Sequence, residues 1–190
     1  SDGAAVTIID GEGVRRGINC VNGETSATIF EGLTITNGYS NGDGGGMYVY
    51  VSDPTLIDCV FDGNFAGSRG GGLYNDSGGT TLTRCSFTNN TSNSHGGGLY
   101  YSGSNTTLTS CLFTNNTSNN EGGGAYVDNG YVIFTDCVFN SNTAAQFGGG
   151  MYRLYGTTEL TGCSFIDNAA SANDSGGLHL YSSNTTLTDC

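Results

Sequence analysis

Lysine and tryptophan are absent from this 190-residue chain, proline occurs once, and five arginines supply all of its fixed positive charge. With 17 carboxylates the formal net charge is −12. Nucleic acid and anionic membranes are therefore poor partners, because both are bound by clustered cations. No apolar run approaches the roughly 18 residues of a membrane-spanning helix, so membrane insertion is not expected. Strong helix formers are scarce, and no segment places apolar side chains at the 3.6-residue spacing of an amphipathic helix, which excludes helix as a major element. In their place stand 33 glycines and abundant Asn, Ser and Thr, the residues of turns and short strands.

These residues recur with a period. Residues 84–100 read RCSFTNNTSNSHGGGLY and residues 110–126 read SCLFTNNTSNNEGGGAY. Cys59, Cys85, Cys111, Cys137 and Cys163 are spaced by 26, and Cys190 follows after 27. Phe61, Phe87, Phe113, Phe139 and Phe165 keep the same interval, as do Asn64, Asn90, Asn116, Asn142 and Asn168 and the glycine runs that close at Gly46, Gly72, Gly98, Gly124, Gly150 and Gly177. Fainter copies precede them: Phe30, Leu33 and Ile35 stand in for Leu56, Cys59 and Phe61, and Thr7 and Ile9 for Leu33 and Ile35. A period of this length marks a solenoid, in which each unit buries its apolar face on its neighbours and only a thin axial core is needed. One domain over 1–190 is expected, with less regular coils over 1–38 and regular repeats over 39–190.

Each repeat reads as three short strands: Gly-Gly-Gly-Met-Tyr, Thr-Thr-Leu-Thr and Cys-Ser-Phe-Thr. Cys85 and Phe87 share a strand face and point inward, with Ser86 and Thr88 opposite. Leu82 has the wrong parity to share a straight strand with Cys85, so a bend is expected at the column Asp58, Arg84, Ser110, Asp136 and Gly162. About seven coils at a strand spacing of about 4.8 Å make a stack of roughly 35 Å. The Asn column is expected to form a structural ladder of stacked amides, and the glycines to sit at corners where backbones approach closely.

The Phe-x-x-Asn motifs from Phe61–Asn64 to Phe165–Asn168, with Gly-Gly before a small or aliphatic residue, resemble the repeats of the chlamydial polymorphic membrane proteins. The openings TIIDGEGVRRG and FEGLTITNG resemble the first coils of right-handed parallel β-helices. The resemblance covers nearly the whole chain. It implies an all-β, right-handed parallel β-helix and a place among surface proteins, adhesins and passengers.

Such helices include pectate lyases and polygalacturonases, whose chemistry needs convergent carboxylates and a basic group. Here Asp58, Asp136 and Asp189 share a column but lie several coils apart, Asp10, Glu12 and Asp43 are typical of turns, and His95 and His179 stand alone. No catalytic residue is assigned and the chain is expected not to be an enzyme. Six of the seven cysteines lie in one file and do not make the converging pairs of a zinc site, so neither metal nor cofactor is expected. The column is expected to hold buried free thiols, and Cys20, outside it, is expected to be the reactive one.

Tyr48, Tyr74, Tyr100, Tyr126 and Tyr152 form an aromatic column that is expected to face outward. It serves either as a stacked reinforcement of the sheet or as a surface that grips sugar rings. The row beginning at Thr83, Thr109, Thr135, Thr161 and Thr188 suggests an ice-binding face, but its companion row is broken by Ile133 and Glu159, and strand propensity explains the Thr without ice. Asn-x-Ser/Thr sequons make Asn75, Asn89, Asn105, Asn115, Asn173 and Asn184 candidate glycan acceptors, while those at Asn90 and Asn116 fall on the ladder. No signal peptide is visible, and a mature, trimmed or excised chain is expected. Both ends fall in the same phase of the repeat, so end-to-end self-association into an extracellular fibre or cell-surface stalk is expected. The alternative is a piece of a longer adhesin or carbohydrate-binding protein, with glycans as further partners.

Overall fold

The computed structural model describes residues 7–103, 105–171 and 174–190. Among the described residues the strands form three seven-stranded sheets and one six-stranded sheet, and their pairings are parallel. Each coil is one circuit around these sheets. In a representative coil the chain runs through Leu73–Asp76 (the Tyr sheet), Thr81–Thr83 (the Thr sheet), Ser86–Thr88 (the Phe sheet) and Thr91–Ser92 (the short sheet). A loop then returns it to Leu99–Ser102.

The expected three strands per coil are thus four. The additional one, Thr91–Ser92 and its equivalents, has only two residues, too few to show an alternation of apolar and polar side chains in sequence. Repeat units pair with their own equivalents: Leu73 with Leu99, Leu82 with Leu108, Phe87 with Phe113 and Thr91 with Thr117. Ile18 pairs with Met47 and Met151 with Leu178, so extra residues are looped out in those coils without disturbing the register.

Two left-handed residues turn the corners on either side of the Phe sheet. Asp58, Arg84, Ser110 and Asp136 have φ of 52°, 51°, 53° and 53°, and Gly162 has 64°. This bend lets Leu82 and Cys85 both face the core despite their odd spacing. The second corner, at Gly63, Asn89, Asn115, Ser141 and Asp167, has φ between 51° and 65°. Asn, Asp and Gly tolerate that conformation best, which accounts for most of both columns. At the third corner Gly70 has φ of 66°. A Cβ on the next residue, Gly71, would run into the carbonyl oxygens of Gly97 and Thr91, so neighbouring coils approach here as only glycine allows.

Leu, Met, Val, Cys and Phe columns from three sheets meet in one axial core. Phe61, Phe87, Phe113, Phe139 and Phe165 stack face to face, with centroids 4.7–4.9 Å apart and planes within 4°. Beside them runs the Asn ladder. Asn90 Nδ2 donates to Asn116 Oδ1 (3.0 Å) and to the Phe61 carbonyl (2.9 Å), and the Asn90 backbone N–H donates to the same Asn116 Oδ1 (3.1 Å). Asn64, Asn116 and Asn142 repeat the pattern towards Asn90, Asn142 and Asn168. Each buried amide therefore satisfies both its own polar atoms and a backbone N–H at the corner, where no strand partner is available.

All seven cysteines are free thiols. Cys85 and Cys111 donate to the carbonyls of Leu56 and Leu82 at 3.5 and 3.8 Å. Hydrogen bonding to neighbouring thiols, together with burial, pushes Cys59 and Cys163 up. The expectation for Cys20 is corrected. It lies in the core, 1% exposed, and burial, reinforced by Glu24, pushes its thiol up to about 12. The exposed thiol is Cys190.

Candidate functional site

The Tyr column lies on the face of its sheet opposite the axial core, since Leu73 and Leu99 belong to the core cluster while Tyr74 and Tyr100 belong to a separate one. It is not a free surface, and the sugar-gripping reading is corrected. Tyr74, Tyr100, Tyr126 and Tyr152 are 2–7% exposed, and Tyr48 is half-buried. The rings stack 5.0–5.2 Å apart, and His179 continues the stack beyond Tyr152 at 5.1 Å with planes 5° apart.

The loop that returns from the short sheet folds over this column and covers it with one side chain per coil. Arg16 lies 4.9 Å over the Tyr48 ring, and Arg69 lies 4.9 Å from both Tyr74 and Tyr100, cation–π contacts on the negative ring faces. His95 packs on Tyr126 at 4.7 Å and Phe147 on His179 at 4.8 Å. The covering residues also pair along the axis: Arg69 with Asp43 at 2.9 Å and His95 with Glu121 at 2.6 Å. His95 and His179 are therefore not solitary as expected. Burial nevertheless holds the His95 pKa below the ordinary histidine value, against the pull of Glu121. The Tyr column with its cover is thus a second, external core.

Of the candidate glycan acceptors, Asn89, Asn105, Asn115 and Asn184 are exposed. Asn75 is corrected: it is 1% exposed and turned inward, its Nδ2 donating to Thr80 Oγ1 and the Gly78 carbonyl. Asn173 lies outside the described residues. The inward position of Asn75 is taken by Tyr101 in the next coil and by Arg153 two coils further on. Arg153 is fully buried, donating to the carbonyls of Asn129, Gly130 and Thr157, and burial lowers its pKa to about 10. Sequence reading missed it because this column mixes Val, Asn, Tyr and Arg and shows no conserved chemistry from coil to coil.

The carboxylate column does not converge. Asp58 is bound by Arg84 at 2.7 Å, which lowers its pKa, and Asp136 stands three coils further along the corner. Among the described residues no group of three His, Cys, Asp or Glu is placed to hold a metal ion. On the outer Thr sheet, Thr81 and Thr107 are followed in register by Ile133 and Glu159, so a continuous Thr face is interrupted there.

The first coils carry a concavity of about 340 Å³ at the second corner, where the Phe sheet meets the short sheet. Its walls are Asp10, Glu12, Asn37, Tyr39, Gly63 and Phe65. Tyr39 and Phe65, register partners on the short sheet, stack with centroids 5.5 Å apart and planes at 11°. Asp10 Oδ1 accepts from the Glu12 N–H (2.8 Å) and from Asn37 Nδ2 (3.2 Å). The Tyr39 hydroxyl donates to Asn41 Oδ1 at 2.6 Å, and Arg15 is paired with Glu12 at 2.9 Å. The repeat analysis passed over this place because aromatic residues occupy the column in two coils only, and Thr91, Thr117 and Thr143 take it thereafter.

No curated protein and no solved structure was found to match this chain. Residues 15–190 match the family model for the right handed beta helix region. That match spans most of the sequence and agrees with the parallel coils described above, so the chain belongs to the right-handed β-helix family.

Proposed function

We propose that this protein is a non-enzymatic structural element of an extracellular fibre or cell-surface stalk, built by head-to-tail stacking of β-helical coils. The observation that carries the proposal is the parallel, in-register stacking of the coils, Leu73 on Leu99, Leu82 on Leu108 and Phe87 on Phe113, in which each coil's apolar columns are covered by the next. Leu187 is 48% exposed, whereas its register partner Leu160, one coil inward, is 0% exposed. Ile9 and Phe30 at one end and Phe165 and Leu178 at the other are likewise only partly covered. A further coil in the same phase, supplied by the same chain or by another copy, covers these side chains and pairs the open strand edges. A contact of this kind that does not close on itself produces a filament.

An extracellular or surface location is supported by the net charge of −12, by the exposed sequons and by the likeness to chlamydial surface repeats. The scattered carboxylates support a non-enzymatic role. Electron microscopy of the concentrated 190-residue chain tests the assembly. Filaments with an axial repeat of roughly 35 Å, the height of seven strand spacings, are expected. Monodisperse particles at high concentration would overturn head-to-tail assembly, and release of sugar fragments from pectate or polygalacturonate would overturn the non-enzymatic reading.

A further inference from the structure

We infer that the file of stacked thiols is a binding site for a soft, thiophilic metal ion, Cu(I), each ion being held between the cysteines of two neighbouring coils. Cys59, Cys85, Cys111, Cys137, Cys163 and Cys190 occupy one column, and all are free thiols. Their flanking residues pair in register, Thr83 with Thr109 before the cysteine and Ser86 with Leu112 after it, so Cys111 stacks directly on Cys85. Each Sγ donates to a carbonyl of the preceding coil at 3.3–3.8 Å, so the six side chains leave the backbone in one direction. Thiol also hydrogen-bonds thiol along the file, Cys85 with Cys59 and Cys111, and Cys137 with Cys111 and Cys163. Neighbouring core columns exchange one apolar residue for another, Met47 for Leu73, Leu99 for Ala125 and Leu108 for Phe134. This column keeps cysteine, as an interaction between like side chains requires and the filling of space does not.

The geometry that rules out a zinc site selects this ion instead. Zinc takes four ligands converging on one point, and among the described residues no group of even three His, Cys, Asp or Glu converges. Between neighbouring thiols stand two sulfurs, facing each other along the axis. In-register side chains repeat at the strand spacing of about 4.8 Å, and two metal–sulfur bonds of about 2.3 Å span about 4.6 Å. An ion midway between two thiols is therefore bound by two sulfurs in a line. Soft Cu(I) accepts such a pair of thiolates, whereas hard cations need six or more oxygen ligands. Binding breaks an S–H bond, forms S–Cu bonds to both neighbours and releases the proton to solvent, with no change of oxidation state. Each ion displaces one proton, so the charge within the apolar core is unchanged. Cys190 is exposed and gives the ions an entry to the file. The site does not depend on filament formation, since all of its ligands belong to a single copy.

The test is an anaerobic titration of the reduced 190-residue chain with Cu(I), in competition with bicinchoninate, whose Cu(I) complex is coloured. Uptake approaching about five ions per chain is expected, one for each gap between the six cysteines of the column. X-ray absorption is expected to show two sulfur neighbours per copper, with far-ultraviolet dichroism unchanged and the melting temperature raised. Cys111→Ala removes the two gaps that share this residue and is expected to lower the uptake by about two ions, whereas Cys20→Ala, outside the column, leaves it unchanged. Zn(II) offered in the same way is expected to stay unbound. Uptake of a single ion that Cys190→Ser abolishes, undiminished uptake in a folded Cys111→Ala variant, or loading only with loss of the β dichroism would each overturn the assignment. A chain that stays monomeric but takes up copper along the column would overturn the fibre and leave this site standing.

Discussion

Phe113 and Thr114 are adjacent in sequence and opposite in consequence. Phe113 is 0% exposed and lies between the rings of Phe87 and Phe139, at 4.9 and 4.7 Å. Thr114 points to the outer face and is partly solvated. Removing the ring leaves a cavity that the stacked neighbours cannot close without breaking register. Phe113→Ala is therefore expected to cost about 3–5 kcal/mol, while Thr114→Ala is expected to stay within about 0.5 kcal/mol. Urea denaturation of the two variants checks this, and equal midpoint shifts would contradict the inward placement of the Phe column. Asn75 shows how far a single residue can depart from its apparent role: its sequon is intact, yet two buried hydrogen bonds hold its amide inside the coil.

At the scale of the element, the Asn ladder does for the corner what strand pairing does for the sheets. Asn116→Ala removes the acceptor of the Asn90 N–H and Nδ2 and the donor to the Phe87 carbonyl. Each buried group left without a partner costs about 1–3 kcal/mol, so a loss of about 3 kcal/mol or more is expected. Asn119→Ala, on an exposed loop, is expected to change stability by about 0.5 kcal/mol or less. Denaturant titration of the pair decides it, and similar losses would show that the ladder amides are solvated.

The returning loop is the element that responds to pH. The folded state holds His95 below its ordinary pKa, by burial first, whereas the unfolded chain takes up its proton near pH 6.5. Below that point the unfolded state binds more protons, so stability is full above about pH 6.5 and falls as pH drops through the folded-state value. Asp128, raised by burial, acts in the opposite sense and in the more acidic carboxylate range. The melting temperature is expected to decline between about pH 6.5 and 5 and to do so less in His95→Gln. An identical decline in the variant would show that the fold does not lower the His95 pKa.

The Phe, Cys, Asn and glycine columns were legible in the sequence because each position recurs at a fixed interval and its residue type has one physical use. The first corner was legible from parity alone, through Leu82 and Cys85. The short sheet was not, since two-residue strands carry no periodicity. The burial of the Tyr column was not legible either, because its cover is a column of Asp43, Arg69, His95, Glu121 and Phe147, residues that share a place but no chemistry. The concavity at the second corner is lined in part by Tyr39, Gly63 and Phe65, single departures from the repeat that a search for what recurs averages away.

At the scale of the whole molecule, successive coils pair in one parallel register, and from Phe61 to Phe165 and from Asn64 to Asn168 they also repeat the same stacked rings and the same amide ladder. Leu187 is 48% exposed where Leu160, its register partner one coil inward, is 0% exposed, so coverage of a column comes from the coil stacked beyond it. The central claim is that a second copy can supply that coil. Leu112 lies on the outer face of the Phe sheet, in register between Ser86 and Val138, and it is 39% exposed. A nitroxide on Leu112→Cys, in a chain whose exposed Cys190 is replaced by Ser, reports the separation of equivalent points in adjacent copies by pulsed electron–electron double resonance. The expected result is an intermolecular distance of roughly 35 Å, set by seven strand spacings, which disappears on dilution with unlabelled protein. A concentrated sample with no intermolecular distance, or with one unrelated to that spacing, would contradict head-to-tail stacking of the coils.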